Sequence, residues 1–376
     1  MPLAEAAREA GHDVSFATTD PFHDKLAAAG FATHDVGITF REALLRLIGS
    51  HDGPFPTGPD GRPDPRAHVR LMTDILARPT AADLIPLLEA SPPDLVVYEQ
   101  GDIGAAVAAH VAGVPAAAHG LSPRQTGSAL ALIATADVTA LWHEFGVFDP
   151  PVDVHTGAVY VDPIPASLEP GGLAADARRL AVRPIPWTEP GAPMPDLDRR
   201  GGRRLVYLTL GTAVAKADRL RPAIEALARI DADVVVALGL AAGEDLGAIP
   251  ANVRVHDFVD QARVIPHAAL VVHHGGSGTS LAALAHGVRQ LVLPKGADQF
   301  ANAELLAGVE AVRVLEPEAA TPTAIAEAAN AALAAPLPAA ASELRREIAA
   351  MPHPRDVLPE LLARTAAAPR PEGSLR

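Results

Sequence analysis

The stretch Val271-Val272-His273-His274-Gly275-Gly276-Ser277-Gly278-Thr279-Ser280 concentrates residues able to hold an anion. An apolar run leads into a glycine-rich turn, and residues 280–286 read as the opening of a helix. Glycines let a main chain approach a diphosphate closely, and the first amides of a helix have no acceptor inside it. The helix dipole adds about half a positive charge at that end. His273, at the strand end, offers a further donor to a phosphate oxygen. Ser277 and Thr279 offer hydroxyls that serve a ligand or cap the helix. The same pattern also suits a tight strand–helix turn with no ligand. His274 reads as a partly buried polar neighbour.

A second apolar run, Leu291-Val292-Leu293-Pro294, ends in Lys295-Gly296-Ala297-Asp298-Gln299, with Asn302 just beyond. Ligands of open parallel sheets bind past the carboxyl ends of strands. Two such ends would then meet at one crevice, one offering phosphate donors and the other acceptors for sugar hydroxyls. Asp298 equally suits a helix N-cap. In the first half, Glu99 and His119 also stand at strand ends.

These residues need a scaffold, and the rest of the chain reads as one. Strands are expected at 205–210, 234–238, 253–256, 270–273, 290–293 and 312–315, with helices between them and two more at 342–349 and 357–366. This is doubly wound α/β architecture. The first half reads similarly: a helix at 3–10, a strand at 14–18, a strand at 94–98, a helix at 103–112 and a strand at 116–119. Residues 51–66 read as a long surface loop, and 67–90 and 123–146 as helices. A helix and strand with no strand before them are the second half of a βαβ unit. The first strand therefore reads as missing, and Met1 as an internal methionine. Residues 150–195 hold ten prolines and little periodicity, as a linker region would. The boundaries read as 1–188 for the first Rossmann-like domain, 189–203 for the linker, 204–350 for the second domain and 351–376 for a terminal helix and tail.

Composition narrows the chemistry. The chain has 376 residues, 49% of them hydrophobic, which suits two packed domains. Its 45 acidic against 31 basic residues give a net charge of −14, which argues against nucleic acid as a partner. There is no cysteine, so thiolate and disulfide chemistry are excluded. No apolar run of 18 residues is present, so a cytoplasmic protein without a transmembrane segment is expected. Asp231-Ala232-Asp233 and Asp196-Leu197-Asp198 have the spacing of a metal-binding pair, but one precedes its strand and the other falls in the linker, so no metal is expected.

Residues 273–279 with Asp298-Gln299 resemble the donor signature of family 1 (GT-B) glycosyltransferases, the UDP-glycosyltransferase superfamily with its plant members and its bacterial antibiotic- and macrolide-tailoring relatives. Leu208-Thr209-Leu210-Gly211-Thr212 resembles the first strand–loop of that family's donor domain, and Asp257-Phe258-Val259-Asp260-Gln261 the segment that holds the base. The resemblance implies two Rossmann-like domains facing across a cleft, the first binding the acceptor and the second the nucleotide-sugar. It places His273, Gly275, Gly276, Ser277, Gly278 and Thr279 at the diphosphate, with Thr212 adding a hydroxyl. Phe258, Val259 and Gln261 would meet the base, and Asp298 and Gln299 the sugar. Leu281 stands where plant members hold the ribose with Glu, so uridine and thymidine donors both stay open.

The implied reaction is metal-independent and inverting. It moves a sugar, with the deoxy class among those open, from a UDP- or dTDP-sugar to a hydroxyl of a small apolar natural product, in secondary metabolism such as antibiotic biosynthesis. No cofactor is implied, and a homodimer stays open. A His near neutral pKa would serve as base, oriented by a carboxylate. Pro2-Leu3 resembles the segment just after that His, which places the base before Met1. Glu99 stands at the carboxylate's position, and His119 is a candidate for a replacement base or for the lining of the acceptor cleft. Three other readings compete. They are a non-catalytic nucleotide-sugar-binding or auxiliary protein, a sugar-nucleotide epimerase, and a metal-dependent transferase with a single Rossmann domain. Phe40, Leu44, Phe55, Trp142, Phe145 and Phe148, from loops at 37–70 and 121–160, suit an acceptor cleft or ordinary core packing.

Overall fold

A computed structural model describes residues 1–49, 55–58, 64–121, 138–149, 157–169, 175–192, 197, 202–211, 217–296 and 299–368. They form two compact units, Met1–Arg183 with Pro352–Arg376, and Pro184–Met351.

Among the described residues the first unit holds six strands, β1 (Ser15–Thr18), β2 (Ala32–Asp35), β3 (Val96–Glu99), β4 (Ala116–His119), β5 (Tyr160–Asp162) and β6 (Arg179–Ala181). All pair in parallel, but in two sheets: β1 with β2, and β3-β4-β5-β6. Strands β5 and β6 lie in the proline-rich stretch that the sequence marks as linker. Each is three residues long and flanked by turn-forming residues, too short for a periodic signal. Asp162 in β5 is fully buried, and Arg179 of β6 holds it at 2.6 Å while the Ile164 amide donates to its other oxygen. A buried carboxylate persists only with such partners.

The helix expected at 67–90 is interrupted. Pro65–Arg70 and Ala77–Ala90 are α-helical, and Leu71–Leu76 between them is a π-helical turn. Leu71 and Ile75 on that turn are buried with Ala43. Of the helix expected at 123–146, residues 122–137 lie outside the described residues and Thr139–Glu144 is helical. The terminal helix Pro354–Ala367 packs on this unit. Its Val357 and Leu361 join Val159, Val161, Leu180 and Val182, and Arg364 donates to the carbonyls of Ala177 and Arg179.

The second unit carries β7 (Arg204–Thr209), β8 (Ala232–Ala237), β9 (Val253–His256), β10 (Leu270–His273), β11 (Arg289–Val292) and β12 (Val312–Val314) in one parallel sheet. All six match strands expected from the sequence within one or two residues. Their order is β9-β8-β7-β10-β11-β12. Two apolar clusters cover the faces, one around Val206, Leu208 and Val234, the other around Leu205, Tyr207 and Val235. Parallel strands covered on both faces read as continuous apolar runs, which is why the sequence shows them so plainly. The helix Ser277–His286 stops at Gly287, whose φ of 65° is the left-handed cap that glycine adopts without strain. Among the described residues no single helix is long and apolar enough to cross a membrane.

Candidate functional site

In the second sheet, chain order runs one way from β7 to β9 and the other way from β10 to β12. The switch point is between β7 and β10, and the crevice of such a sheet opens beyond the carboxyl ends there. Two loops meet at that place. Gly211 follows β7 with φ of 85°, and a Cβ on it would lie 2.7 Å from two atoms of the His274 ring. Gly276 follows β10, and a Cβ on it would lie 2.5 Å from His274 Nε2. The imidazole of His274 is thus seated against two glycine backbones, a place that exists only because neither carries a side chain. Burial pushes its pKa down to about 4, against the opposing bond with the Thr209 backbone, so the ring is neutral at pH 7.

The helix Ser277–His286 starts at the same place. Its N-cap is Gly276, and no side chain among the described residues caps it. Its first amides therefore have no acceptor within the helix, and the positive end of the dipole is left for an anion. The two hydroxyls expected at the diphosphate have protein partners. Ser277 Oγ accepts from Asn302 Nδ2 at 3.1 Å, and Thr279 Oγ1 donates to Gln261 Oε1 at 3.0 Å. Gly275 has φ of 95° and is buried, whereas Gly278 is exposed with open space around its Cα.

His273 requires a correction. The sequence places it on the diphosphate, but both its ring nitrogens are used inside the core and it is 0% exposed. Nδ1 accepts from the Gly275 amide at 3.1 Å, which puts the ring proton on Nε2, 2.8 Å from Gln290 Oε1. Burial, with His274 adjoining, pushes its pKa down to about 3. Between the two adjacent histidines, it is His274 that reaches the turn. Strand parity gave no guide, since all four residues of β10 are buried. A usable signal was Gln290, a polar residue inside an apolar strand, which demands a partner. From sequence, His274, Gly211 and Asn302 are named without a place at the diphosphate, and Gln290 is not singled out.

The other expected donor residues distribute as follows. Phe258 is 49% exposed beyond β9, while Val259 is buried. Gln261 opens the short helix Gln261–Val264, capped by Asp260, and through Thr279 ties it to the helix at Ser277. Gln299 is 3% exposed, and its Oε1 accepts from the amides of Lys295 and Gly296, so it closes the turn after β11. Leu281 is buried in its helix. Thr212 and Asp298 lie outside the described residues. Asp233 forms a buried pair with Arg203 at 2.8 Å, which accounts for one of the two metal-like spacings. Among the described residues no three His, Cys, Asp or Glu side chains group to hold a metal ion.

In the first unit, Glu99 and His119 end adjacent strands in direct register. Glu99 Oε1 accepts from the Gly101 amide at 3.1 Å. His119 Nδ1 lies 2.8 Å from the Gly120 carbonyl, so Nδ1 carries the proton and Nε2 the lone pair. Burial lowers its pKa, partly offset by that bond. The aromatic residues expected in the cleft divide. Trp142 is 1% exposed in the core, with Phe145 packed against that core and Phe55 against the Leu71 cluster. Phe40 and Phe148 are 48% and 75% exposed, and Leu44 is intermediate.

Known proteins resemble this chain in sequence and fold. Residues 221–364 match the family model described as Erythromycin biosynthesis protein CIII-like, C-terminal domain. Elloramycin glycosyltransferase ElmGT of Streptomyces olivaceus is 30% identical over 96% of this chain and 92% of its own length. A 10-deoxymethynolide desosaminyltransferase of Streptomyces venezuelae is 29% identical over 100% of this chain and 96% of its own. Among solved structures, Spinosyn Forosaminyltransferase SpnP superposes with a TM-score of 0.76 at 26% identity, over 97% of this chain and 94% of that one. Glycosyltransferase VinC, solved in complex with DTDP, gives 0.76 at 26% identity over 98% and 96%. An uncapped helix at a parallel sheet's switch point, on a chain alike from end to end to these transferases, is what places this protein among the antibiotic-tailoring family 1 glycosyltransferases, with their two-domain α/β fold.

Proposed function

We propose that this glycosyltransferase moves a sugar of the deoxy class from a thymidine-diphosphate donor to a hydroxyl of a small apolar natural product, with inversion and without a metal. One observation carries the donor half: the uncapped amides of Ser277–His286 open beside a neutral imidazole seated on Gly211 and Gly276. Main-chain donors and a helix dipole fixed before the reaction stabilise the charge that grows on a departing diphosphate. The thymidine choice is supported by VinC, solved with DTDP, and by a TDP-daunosamine transferase of Streptomyces peucetius, 28% identical over 99% of this chain. Phe258 stacks on the base, and Asp298 and Gln299 serve the sugar. A cytoplasmic location belongs to the same proposal.

In the reaction the acceptor oxygen forms a bond to the anomeric carbon as the bond from that carbon to the diphosphate oxygen breaks. The acceptor proton passes to a base. In the first unit His119 presents a neutral ring with its Nε2 lone pair fixed by the Gly120 carbonyl, and Glu99 stands in register beside it. Desolvation keeps the ring neutral and ready to accept a proton near pH 7.

The test incubates the purified chain with dTDP- and UDP-sugars and a panel of hydroxylated polyketide aglycones. Mass spectrometry reads the glycoside and NMR its anomeric configuration. Acceptor-dependent release of thymidine diphosphate with inversion, unchanged by a chelator, is expected. Tight diphosphate binding with no glycoside from any acceptor would assign the non-catalytic reading instead.

A further inference from the structure

Gly275 lies between β10 and the helix at Ser277, and its backbone is gripped on both sides of the Cα. Its N–H donates to His273 Nδ1 at 3.1 Å, and His273 is anchored in turn by Gln290 at 2.8 Å on the neighbouring strand. Its carbonyl accepts from Asn302 Nδ2 at 2.9 Å, and the same nitrogen reaches Ser277 Oγ at 3.1 Å. His273, Gln290 and Asn302 are 0%, 1% and 3% exposed. Two buried polar side chains, from β10 and the helix Gln299–Ala307, therefore hold the two peptide groups that flank the Gly275 Cα, and a third, from β11, anchors the first of them.

The grip matters because this glycine is in an unusual state. Gly275 has φ of 95°, and a Cβ on it would lie 3.1 Å from Val292 Cγ1 and 3.2 Å from the Gln299 carbonyl. A glycine is conformationally free, so a particular orientation must be imposed from outside. The orientation of these peptides sets where Gly276 and the following amides point. Hydrogen bonds between buried groups rigidify what they join.

We propose that His273, Gln290 and Asn302 form a positioning clamp that fixes the peptide groups on either side of Gly275 and so aims the open helix amides at the donor's diphosphate. None of the three touches the ligand; each acts through the backbone. The clamp rests on the reading of this turn as the diphosphate site. It assigns His273 an acceptor role that requires a neutral ring, and it gives a function to the polar residue in β11. Preorganisation of donors, rather than their number, is what it supplies.

The experiment measures binding of thymidine diphosphate by calorimetry and of thymidine by ligand-observed NMR, with thermal unfolding as a check on folding. Asn302→Asp keeps the shape but removes the donor. His273→Leu removes the acceptor, and His273→Asn restores an acceptor oxygen near the place of Nδ1. Asn302→Asp and His273→Leu are each expected to weaken the diphosphate about tenfold, the loss from one buried hydrogen bond, while thymidine affinity stays unchanged. His273→Asn is expected to recover most of the loss. Equal diphosphate affinity in folded Asn302→Asp protein overturns the clamp. So does a parallel fall for thymidine and its diphosphate, which marks general loosening. Should His273→Leu fail to fold, Asn302→Asp with Gln290→Glu, which puts a carboxylate beside His273, decides the matter by the same ratio. A native protein that binds neither thymidine nor uridine diphosphate removes the diphosphate reading itself, and the clamp with it.

Discussion

The sharpest test of the site is Gly276→Ala. Gly276 has φ of −64° and ψ of 138°, so alanine meets no backbone strain there. The difficulty is space alone. The new methyl would sit 2.5 Å from His274 Nε2 and 2.9 Å from Cε1, where an ordinary contact needs about 3.5 Å. The ring must therefore retreat by about 1 Å, and on its other side it already lies against Gly211. Overpacking of this kind costs roughly 1–3 kcal/mol. In a unit the size of Pro184–Met351 each kcal/mol lowers Tm by about 2–4 °C, so a drop of about 4–8 °C is expected at the middle of that range. If His274 donates to the diphosphate, displacing it loses a hydrogen bond to a charged group, about 1.5–3 kcal/mol, or tenfold and more in affinity. Scanning calorimetry and titration with thymidine diphosphate read the two effects separately. A variant with native Tm and native affinity would refute the seating of the ring. Lower Tm with native affinity would leave the packing intact and take His274 away from the ligand.

Other outcomes follow from the same structure. Acidification should destabilise the second unit. His273 and His274 have folded pKa values pushed down to about 3 and about 4, below the usual 6.5, so the unfolded chain binds their protons first. Their stabilising effect is complete above about pH 6.5 and is lost as pH falls from there toward 4, at up to about 1.4 kcal/mol per pH unit for each ring. Denaturant midpoints at pH 7.5 and 5.0 check this, and His274→Gln should flatten the slope. Phe258→Ala should weaken thymidine and thymidine diphosphate alike, by roughly tenfold for the loss of one base–aromatic stack, and a loss confined to the diphosphate would contradict stacking. Asp298→Ala should weaken the nucleotide-sugar more than the free diphosphate, as titration of both ligands would reveal. His119→Gln should lower kcat about a hundredfold or more and abolish the acid limb of the kcat/KM profile if this ring takes the acceptor proton. Unchanged kcat would assign the proton to another group.

Much of the donor unit was legible in the chain itself. Its strands are buried on both faces and so appear as unbroken apolar runs at regular spacing, and the glycines of 275–278 mark where a backbone must bend or be approached. The short strands β5 and β6 were not legible, because three residues among prolines carry no period. Nor was the division of labour between His273 and His274, two identical neighbours on a strand with no exposed side. That depended on which ring met Gln290 across the register and which met two glycines from separate loops, contacts between residues up to 63 positions apart in the chain. Composition and local pattern determined that a glycine-rich turn able to hold an anion stands at the end of a parallel strand. Only the packing of neighbouring strands and helices decided which side chains face the crevice and which hold it in shape, because burial and hydrogen-bond partners are properties of the assembled sheet and not of the local sequence.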